Sequence, residues 1–131
     1  VIGRDPAGTE LTRLLSNEMA VESNLVTDRN RPTTIKVRYV AGTQQLLRAD
    51  SETTALLSEE LQAQILLRAE AGLAHAGALV LSDYGKGVLS DAMLARLIAA
   101  ARKQGRPVVV DPKGPNRTKI ILEQWSTLRP R

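Results

Sequence analysis

The chain has 131 residues, of which 43% are hydrophobic, and its 18 basic and 14 acidic residues give a formal net charge of +4. This length suits one small domain, and the core must be aliphatic because the chain has one Trp, two Tyr and no Phe. The absence of cysteine excludes disulfides, thiolate catalysis and cysteine-based metal sites, and the single histidine excludes a two-histidine metal cluster.

Charge and hydropathy also narrow the choice of partners. A net charge of +4 suits a phosphorylated ligand but is too small to favour nucleic acid, and no basic face interleaves with aromatic residues. No apolar run approaches the ~20 residues of a membrane span, and no signal peptide is recognisable. We therefore expect a cytoplasmic protein that binds neither nucleic acid nor membrane.

The first segment predicts the end of a strand followed by a helix. Val1-Ile2-Gly3 has the pattern of a buried strand end, which indicates a piece of a longer protein. Asp5 can cap a helix that has Pro6 in its first turn, where the missing N–H of proline is harmless. The helix should end near Ala20. Its apolar positions follow helical spacing and predict one buried stripe, formed by Leu11, Leu14, Leu15 and Met19.

A β-hairpin is predicted next, after a polar, turn-rich stretch from Asn24 to Pro32. Residues 34–40 alternate between apolar and basic side chains, which predicts a half-exposed strand. Its apolar face would be formed by Ile35, Val37 and Tyr39. A turn at residues 41–43 leads to a second strand from Gln44 to Asp50, in which Arg48 and Asp50 share a face because side chains alternate. Taken alone, these two residues are interpreted as a surface ion pair.

A helix is predicted after Ser58, which can act as its N-cap with Glu59 and Glu60 in the first turn. Gly77 suits the position just past its end. The apolar stripe of this helix consists of Leu61, Ile65, Leu66, Ala69 and Leu73. His75 falls in the last turn, and we interpret it as a capping or surface residue.

The following stretch predicts a strand, a helix and a strand. The run from Ala78 to Asp83 has no polar alternation, which is typical of a strand buried on both faces of a parallel sheet. A helix should begin after Ser90 and end before Gly105, with Leu94, Leu97, Ile98 and Ala101 buried. Residues 107–111 form another apolar strand. Such a unit predicts a right-handed parallel crossover and an α/β fold.

Parallel strands end at the same edge of a sheet, so Asp83 and Asp111 are expected at one edge. Each is followed by a lysine and a glycine, namely Lys86 with Gly87 and Lys113 with its following glycine. Carboxylates accept hydrogen bonds from sugar hydroxyls or hold Mg²⁺ through water, and lysines bind phosphate. This pattern favours a site for a phosphorylated, hydroxyl-rich ligand, but an aspartate at a strand end also commonly only closes a turn.

Several segments resemble a known family. Val1-Ile2-Gly3-Arg4-Asp5-Pro6-Ala7-Gly8 resembles the Val-x-Gly-x-Asp-x-x-Gly segment of the ribokinase family of sugar kinases. Residues 34–50, 81–87 and 111–114 resemble, within that family, the kinase domain of bifunctional heptose-7-phosphate kinases and heptose-1-phosphate adenylyltransferases. The resemblance runs from Val1 to Lys119. It implies part of a ribokinase-like three-layer α/β/α fold with a parallel central sheet and a β-hairpin lid.

The resemblance implies a reaction and the residues that serve it. The reaction would be transfer of the ATP γ-phosphoryl group, with Mg²⁺, to O1 of D-glycero-D-manno-heptose 7-phosphate, in ADP-heptose and lipopolysaccharide core biosynthesis. The residues implied to bind substrate are Lys36, Arg48, Asp50, Asp83 and Lys86. The residues implied to lie near the nucleotide phosphates are Asp111 and Lys113.

The resemblance further implies an organisation of the chain. Residues 33–50 would form the lid hairpin, which would also join two copies into a homodimer, and residues 58–114 would form the βαβ core with its preceding helix. Residues 115–131 depart from the family pattern. The Asn-x-x-Glu motif and the Gly-Ala-Gly-Asp motif, which carries the catalytic base, are absent from the sequence. We therefore expect no catalytic base and no turnover from these residues alone.

Two alternatives remain compatible with the residues. The chain could belong to a ribokinase-family kinase that acts on another sugar. It could also be a non-catalytic α/β module that binds phosphate or dimerises, because the alternating strand from Thr34 to Val40 would leave a strand edge exposed.

Overall fold

A computed structural model describes residues 1–17 and 21–112. These residues form an α/β structure in two compact units, which divide between Thr53 and Thr54. The strands are β1 (Ile2–Gly3), β2 (Thr27–Asp28), β3 (Ile35–Ala41), β4 (Gln44–Ser51), β5 (Leu79–Asp83) and β6 (Val108–Pro112). The helices are α1 (Pro6–Asn17), α2 (Glu59–Leu73) and α3 (Asp91–Lys103). The described strands pair as β1–β2, β3–β4 and β5–β6, and the first and last of these pairs are parallel.

The first unit begins with the buried strand β1, as the sequence predicts. Its partner β2 was not predicted, because it is only two residues long and lies inside the turn-rich stretch. Helix α1 approaches β1 closely at Gly8, where an added Cβ would lie 2.6 Å from the carbonyl oxygen of Gly3. The predicted buried stripe is wrong: Leu11 is 36% exposed, Leu14 and Leu15 are half-buried, and the buried residue of the described helix is Gly8. Met19 and Ala20 lie outside the described residues.

The predicted hairpin is confirmed as the antiparallel pair β3–β4, with a register shift between Tyr39 and Val40. Gly42 forms its turn with φ of 59°, a backbone conformation that favours glycine. Ile35, Val37 and Tyr39 lie on one face of β3 as predicted, because all three precede the register shift. Both faces of the hairpin are exposed, since every residue of β3 and β4 is exposed in this chain.

The helices of the second unit begin where the sequence predicts. The hydroxyl of Ser58 accepts a hydrogen bond from the Leu61 amide at 3.3 Å, and the hydroxyl of Ser90 accepts one from the Met93 amide at the same distance of 3.3 Å. These N-caps satisfy amide groups that would otherwise lack a partner in the first helical turn. Past the end of α3, Gly105 has a φ of 65°.

The core of the second unit lies between the helices and one face of the β5–β6 pair. Its buried members are Leu66, Leu81, Met93, Leu94, Leu97 and Ile98. The two strands are parallel neighbours, as predicted. The prediction that they are buried on both faces is wrong, because Val80 is 63% exposed and Val109 is 56% exposed. The side chains of a strand alternate between faces, and the described helices α2 and α3 pack on the face that carries Leu81.

Candidate active site

The carboxyl ends of β5 and β6 place the two predicted aspartates at one edge of the strand pair. Ser82 is in register with Asp111, and Asp83 is in register with Pro112. Residues in register on neighbouring parallel strands share a face, so Asp83 and Asp111 share the edge but point to opposite faces. Asp83 is only 3% exposed on the helix-covered face, whereas Asp111 is exposed on the other.

Asp83 closes the loop that follows β5. Its Oδ1 accepts a hydrogen bond from the amide of Gly85 at 2.9 Å, and Gly85 adopts a φ of 65°. This is the turn-closing role that the sequence left open for an aspartate at a strand end. The loop therefore presents Tyr84, which is 63% exposed, next to a buried carboxylate. Lys86, half-buried in the same loop, lies three residues beyond Asp83.

Gly87 holds this loop against the segment before α2. Its carbonyl oxygen accepts a hydrogen bond from the Leu57 amide at 3.2 Å. Its φ is 71°, and an added Cβ would overlap the carbonyl oxygen of Ala55. Glycine is therefore required at this position for two independent reasons, the backbone conformation and the close approach of residues 54–55.

A second polar pair lies on the exposed face of the same edge. The Ser82 hydroxyl donates to Asp111 Oδ2 at 3.4 Å, a long hydrogen bond. Ser82 was not among the residues that the sequence predicted for the site. Its place in register with Asp111 could be found only once the strand pairing was known. Lys113, predicted to bind nucleotide with Asp111, lies outside the described residues.

Three of the five residues implied to bind substrate lie in the hairpin, and the structure brings them into contact with one another. Lys36 Nζ donates to Asp50 Oδ2 at 2.7 Å, and Arg48 Nε donates to Asp50 Oδ1 at 2.9 Å. Lys36 also reaches Glu52 Oε2 at 3.0 Å, a partner that sequence analysis missed although it continues the alternation from Asp50. The hydrogen bond from Lys36, and to a smaller extent that from Arg48, lowers the pKa of Asp50. The hydrogen bond to Asp50, and to a smaller extent that to Glu52, raises the pKa of Lys36.

Asp5 organises a cavity of about 670 Å³ at the start of the chain. Its Oδ1 accepts from the Gly8 amide and its Oδ2 from the Thr33 amide, both at 2.8 Å. The hydrogen bonds from Thr33, followed by that from Gly8, lower the pKa of Asp5. The Thr33 hydroxyl in turn accepts from the Gly3 amide at 2.8 Å. Sequence analysis gave Asp5 only its role as a helix cap and missed its contact with Thr33, 28 residues away.

Within residues 1–17 and 21–112, no group of three histidine, aspartate or glutamate side chains is placed to hold a metal ion. No helix in this part of the chain has both the length and the apolar character needed to cross a membrane.

Comparison with known proteins decides the family. A model of the pfkB family carbohydrate kinases matches residues 1–130. The chain belongs to the pfkB family of carbohydrate kinases. The resemblance of the sequence to sugar kinases is therefore confirmed, and a carbohydrate kinase transfers a phosphoryl group to a carbohydrate.

Among pfkB family proteins, the chain is similar to several called bifunctional protein HldE. It is 47% identical over 118 residues to that of Paramagnetospirillum magneticum, covering 90% of this chain and 24% of the relative. It is 49% identical over 119 residues to that of Rhodospirillum rubrum, covering 91% of this chain and 24% of the relative. The chain thus spans about a quarter of the length of these relatives.

A solved structure supports the ribokinase-like α/β fold of this pfkB family chain. The crystal structure of a possible 1-phosphofructokinase from Thermotoga maritima superposes with a TM-score of 0.68 at 18% sequence identity. The match covers 93% of this chain and 38% of that protein. The predicted fold class is therefore confirmed, with this chain accounting for part of the larger fold.

Proposed function

We propose that this chain carries part of the active site of a kinase that phosphorylates O1 of D-glycero-D-manno-heptose 7-phosphate with ATP. The product would enter ADP-heptose synthesis for the lipopolysaccharide core. The family match and the similarity to the HldE proteins support this proposal. The structural observation that carries it is the edge of β5 and β6, where Asp83 and Asp111 lie at the carboxyl ends of two adjacent parallel strands. Ligands of α/β sheets bind outside such carboxyl ends.

The proposed roles follow from the chemistry of each group. Asp83 and Lys86 serve the sugar and the transferred phosphoryl group, because a carboxylate accepts hydrogen bonds from hydroxyls and an ammonium offsets developing negative charge. Asp111 and Lys113 serve the nucleotide phosphates. In phosphoryl transfer such positioning and charge stabilisation supply most of the catalysis. We assign the general base to none of the described residues.

ATP is the proposed phosphoryl donor and Mg²⁺ its counter-ion. Kinase sites commonly hold Mg²⁺ by one or two carboxylates together with the phosphates of the nucleotide. Asp83 and Asp111 point to opposite faces and are not a ready-made pair of ligands, so the described residues alone do not form a magnesium site.

We also propose that the hairpin joins two copies of the protein, which would work in the cytoplasm. The supporting observation is its apolar face, where Val37 is 39% exposed, Tyr39 is 51% exposed and Leu47 is 53% exposed. Burying such an apolar face against a second copy removes it from water, which stabilises the complex. The same observation favours the second candidate function, a dimerisation module without catalysis. Sedimentation velocity of Tyr39→Glu should show a monomer, and a monomeric parent protein would contradict the proposed dimer.

The kinase function is tested with the protein that contains this segment. ADP release is measured with heptose 7-phosphate and with fructose 6-phosphate, and ³¹P NMR identifies the phosphorylated oxygen. We expect a heptose 1,7-bisphosphate and little turnover of fructose 6-phosphate. Preferential turnover of fructose 6-phosphate would favour a kinase for another sugar, and no turnover of any sugar would favour the non-catalytic module.

A matched pair of lysine variants links this activity to the β5–β6 edge. Lys86→Ala should lower turnover by at least about tenfold, since a charge near the transferred phosphoryl group is lost. Lys103→Ala is the control, because α3 runs back across the strand pair and its last turn lies at the opposite end from Asp83. Equal effects of the two variants would contradict the proposed site.

A further inference from the structure

The charged face of the hairpin contains two arginines directly opposite each other. In the register of β3 and β4, Lys36 faces Asp50, and Arg38 faces Arg48. The first pair is complementary, and the second places two guanidinium groups side by side across the strands. Like charges in this position destabilise a pair of strands. The arrangement therefore has a surplus of positive charge at one defined point.

The other charges of this face are already matched. Lys36 is bonded to Asp50 and Glu52 at 2.7 Å and 3.0 Å, and Arg48 is bonded to Asp50 at 2.9 Å. Arg38 has neither a hydrogen bond nor an ion pair with another residue of the described part of the chain. Two carboxylates thus serve Lys36 and Arg48, and the third cation of the face, Arg38, has no acidic partner among residues 1–17 and 21–112.

We propose that Arg38 binds the phosphate group of the phosphorylated sugar. A guanidinium offers two parallel N–H donors that match two oxygens of a phosphate, and hydrogen bonds between ionised groups are the strong ones. An anion bound there also offsets the repulsion between Arg38 and Arg48. This assignment deepens the proposed function, on which it rests for the identity of the sugar.

The charged residues of the hairpin then have different roles from those that the resemblance implies. Lys36, Arg48 and Asp50 were implied to face the sugar phosphate, and the structure shows them bonded to one another. Asp50 is then a positioning residue that holds Arg48 through Nε. Within the described part of the chain the side-chain donors of Arg38 are unused, and its removal should weaken the binding of a phosphate.

The variant Arg38→Gln gives the proposal a signature that a solvated surface arginine would not produce. Removing one of two opposed positive charges should leave the thermal midpoint unchanged or raise it. Losing a charge-assisted pair of hydrogen bonds should weaken phosphate binding by about 10- to 100-fold. Anion affinity would therefore fall without a loss of stability, whereas a structural role of Arg38 predicts a loss of stability.

The experiment titrates inorganic phosphate into the whole protein and follows the arginine Nε–Hε signals by NMR. Arg38→Gln is compared with Arg38→Lys, which keeps the charge but not the paired donors, and with Arg29→Gln. Arg29 is an exposed arginine that also lacks a partner among the described residues. We expect the order of affinity parent, Arg38→Lys, Arg38→Gln, with Arg29→Gln within about twofold of the parent. Equal losses for Arg29→Gln and Arg38→Gln, or no loss for Arg38→Gln, would overturn the proposal.

A kinetic measurement separates this inference from the proposed function. In the heptose 7-phosphate assay, Arg38→Gln should raise the KM for the sugar phosphate and leave the KM for ATP unchanged. An unchanged KM for heptose 7-phosphate would overturn the role of Arg38 and leave the kinase assignment intact. If the parent protein does not phosphorylate heptose 7-phosphate, the kinase assignment fails, and the phosphate titration alone decides the role of Arg38.

Discussion

Ser82 and Asp111 lie in register on two parallel strands, and the Ser82 hydroxyl reaches Asp111 Oδ2 at 3.4 Å. Because strand side chains alternate, Asp83 points to the opposite, helix-covered face. The two aspartates that the sequence treats as equivalent therefore have different surroundings. Asp83 is buried and bonded to the Gly85 amide, whereas Asp111 is exposed.

The first prediction compares alanine substitutions at these two aspartates. Asp83→Ala should lower the free energy of unfolding by roughly 1–3 kcal/mol, because the Gly85 amide loses its acceptor. Asp111→Ala should change it by less than about 0.5 kcal/mol, as is usual for an exposed site. Urea unfolding followed by circular dichroism measures both values. Similar losses for the two variants would contradict the different faces assigned to them.

The variant Asp83→Asn separates the turn from the chemistry at the same position. An asparagine oxygen can still accept the hydrogen bond from Gly85, so the stability should stay close to that of the parent. The negative charge is lost, and turnover in the heptose 7-phosphate assay should fall by at least about tenfold. If Asp83→Asn keeps full activity, Asp83 has only the turn-closing role.

The second prediction concerns acid stability and Asp5. The pKa of Asp5 is lower in the folded chain than its ordinary value of 3.8, because the ionised carboxylate accepts the amides of Thr33 and Gly8. A lowered folded-state pKa contributes stability that is fully present above the ordinary value and is lost as pH falls through the folded-state value. The unfolding free energy should therefore decrease with falling pH below about 4.

Asp5→Asn tests the role of the Asp5 carboxylate. Asparagine has a single side-chain oxygen, so it can accept only one of the two hydrogen bonds that the Gly8 and Thr33 amides donate to Asp5. At neutral pH the variant should be less stable than the parent, and hydrogen exchange at Gly8 or Thr33 should be faster. The difference in stability should shrink as pH falls below about 4, when the parent carboxylate is protonated. Glu22→Gln is the control, since Glu22 is an exposed acid that has no hydrogen bond or ion pair with another of the described residues. A difference that does not depend on pH would contradict the role of the Asp5 charge.

The third prediction compares the two faces of the β5–β6 pair. Leu94 is 0% exposed in the core, and Leu94→Ala should lower the free energy of unfolding by about 2–5 kcal/mol through lost burial and a residual cavity. Val80 is 63% exposed, and Val80→Ala should lower it by less than about 0.5 kcal/mol. Thermal and urea unfolding measure both. A large loss in Val80→Ala would show that this face is covered in the protein in solution.

Sequence reasoning located the helices and the longer strands because their signals are local. Ser58 and Ser90 are N-caps at the positions where the sequence places them, and the spacing of Leu94, Leu97 and Ile98 identified the buried face of α3. Alternation of apolar and basic residues likewise identified β3. These signals are carried by residues within a few positions of each other, so no knowledge of the tertiary structure is needed.

The errors concern relationships between distant residues. The apolar run of β5 predicted burial on both faces, but its composition cannot reveal that the described helices cover only one face. Asp83 and Asp111 were expected at the same edge of the sheet because they follow two parallel strands. That they point to opposite faces depends on the pairing register, which places Asp111 opposite Ser82 and not opposite Asp83. Arg38 has no partner among the residues that the structure describes, and this also depends on the register, which places Arg48 rather than an acid opposite it.

The last prediction uses glycines to separate backbone conformation from close contact in the second unit. Gly87 has a φ of 71°, and an added Cβ there would overlap Ala55. Gly85 has a φ of 65°, but an added Cβ would have no neighbour within 4 Å. Gly72 lies in α2, and an added Cβ there would also have no neighbour within 4 Å. Gly87→Ala should destabilise the fold by well over about 1 kcal/mol, and Gly85→Ala by about 1 kcal/mol. Gly72→Ala should stabilise it by up to about 1 kcal/mol, since alanine is the better helix former. Urea unfolding gives the order, and equal effects of Gly87→Ala and Gly85→Ala would show that residues 54–55 do not press against the loop.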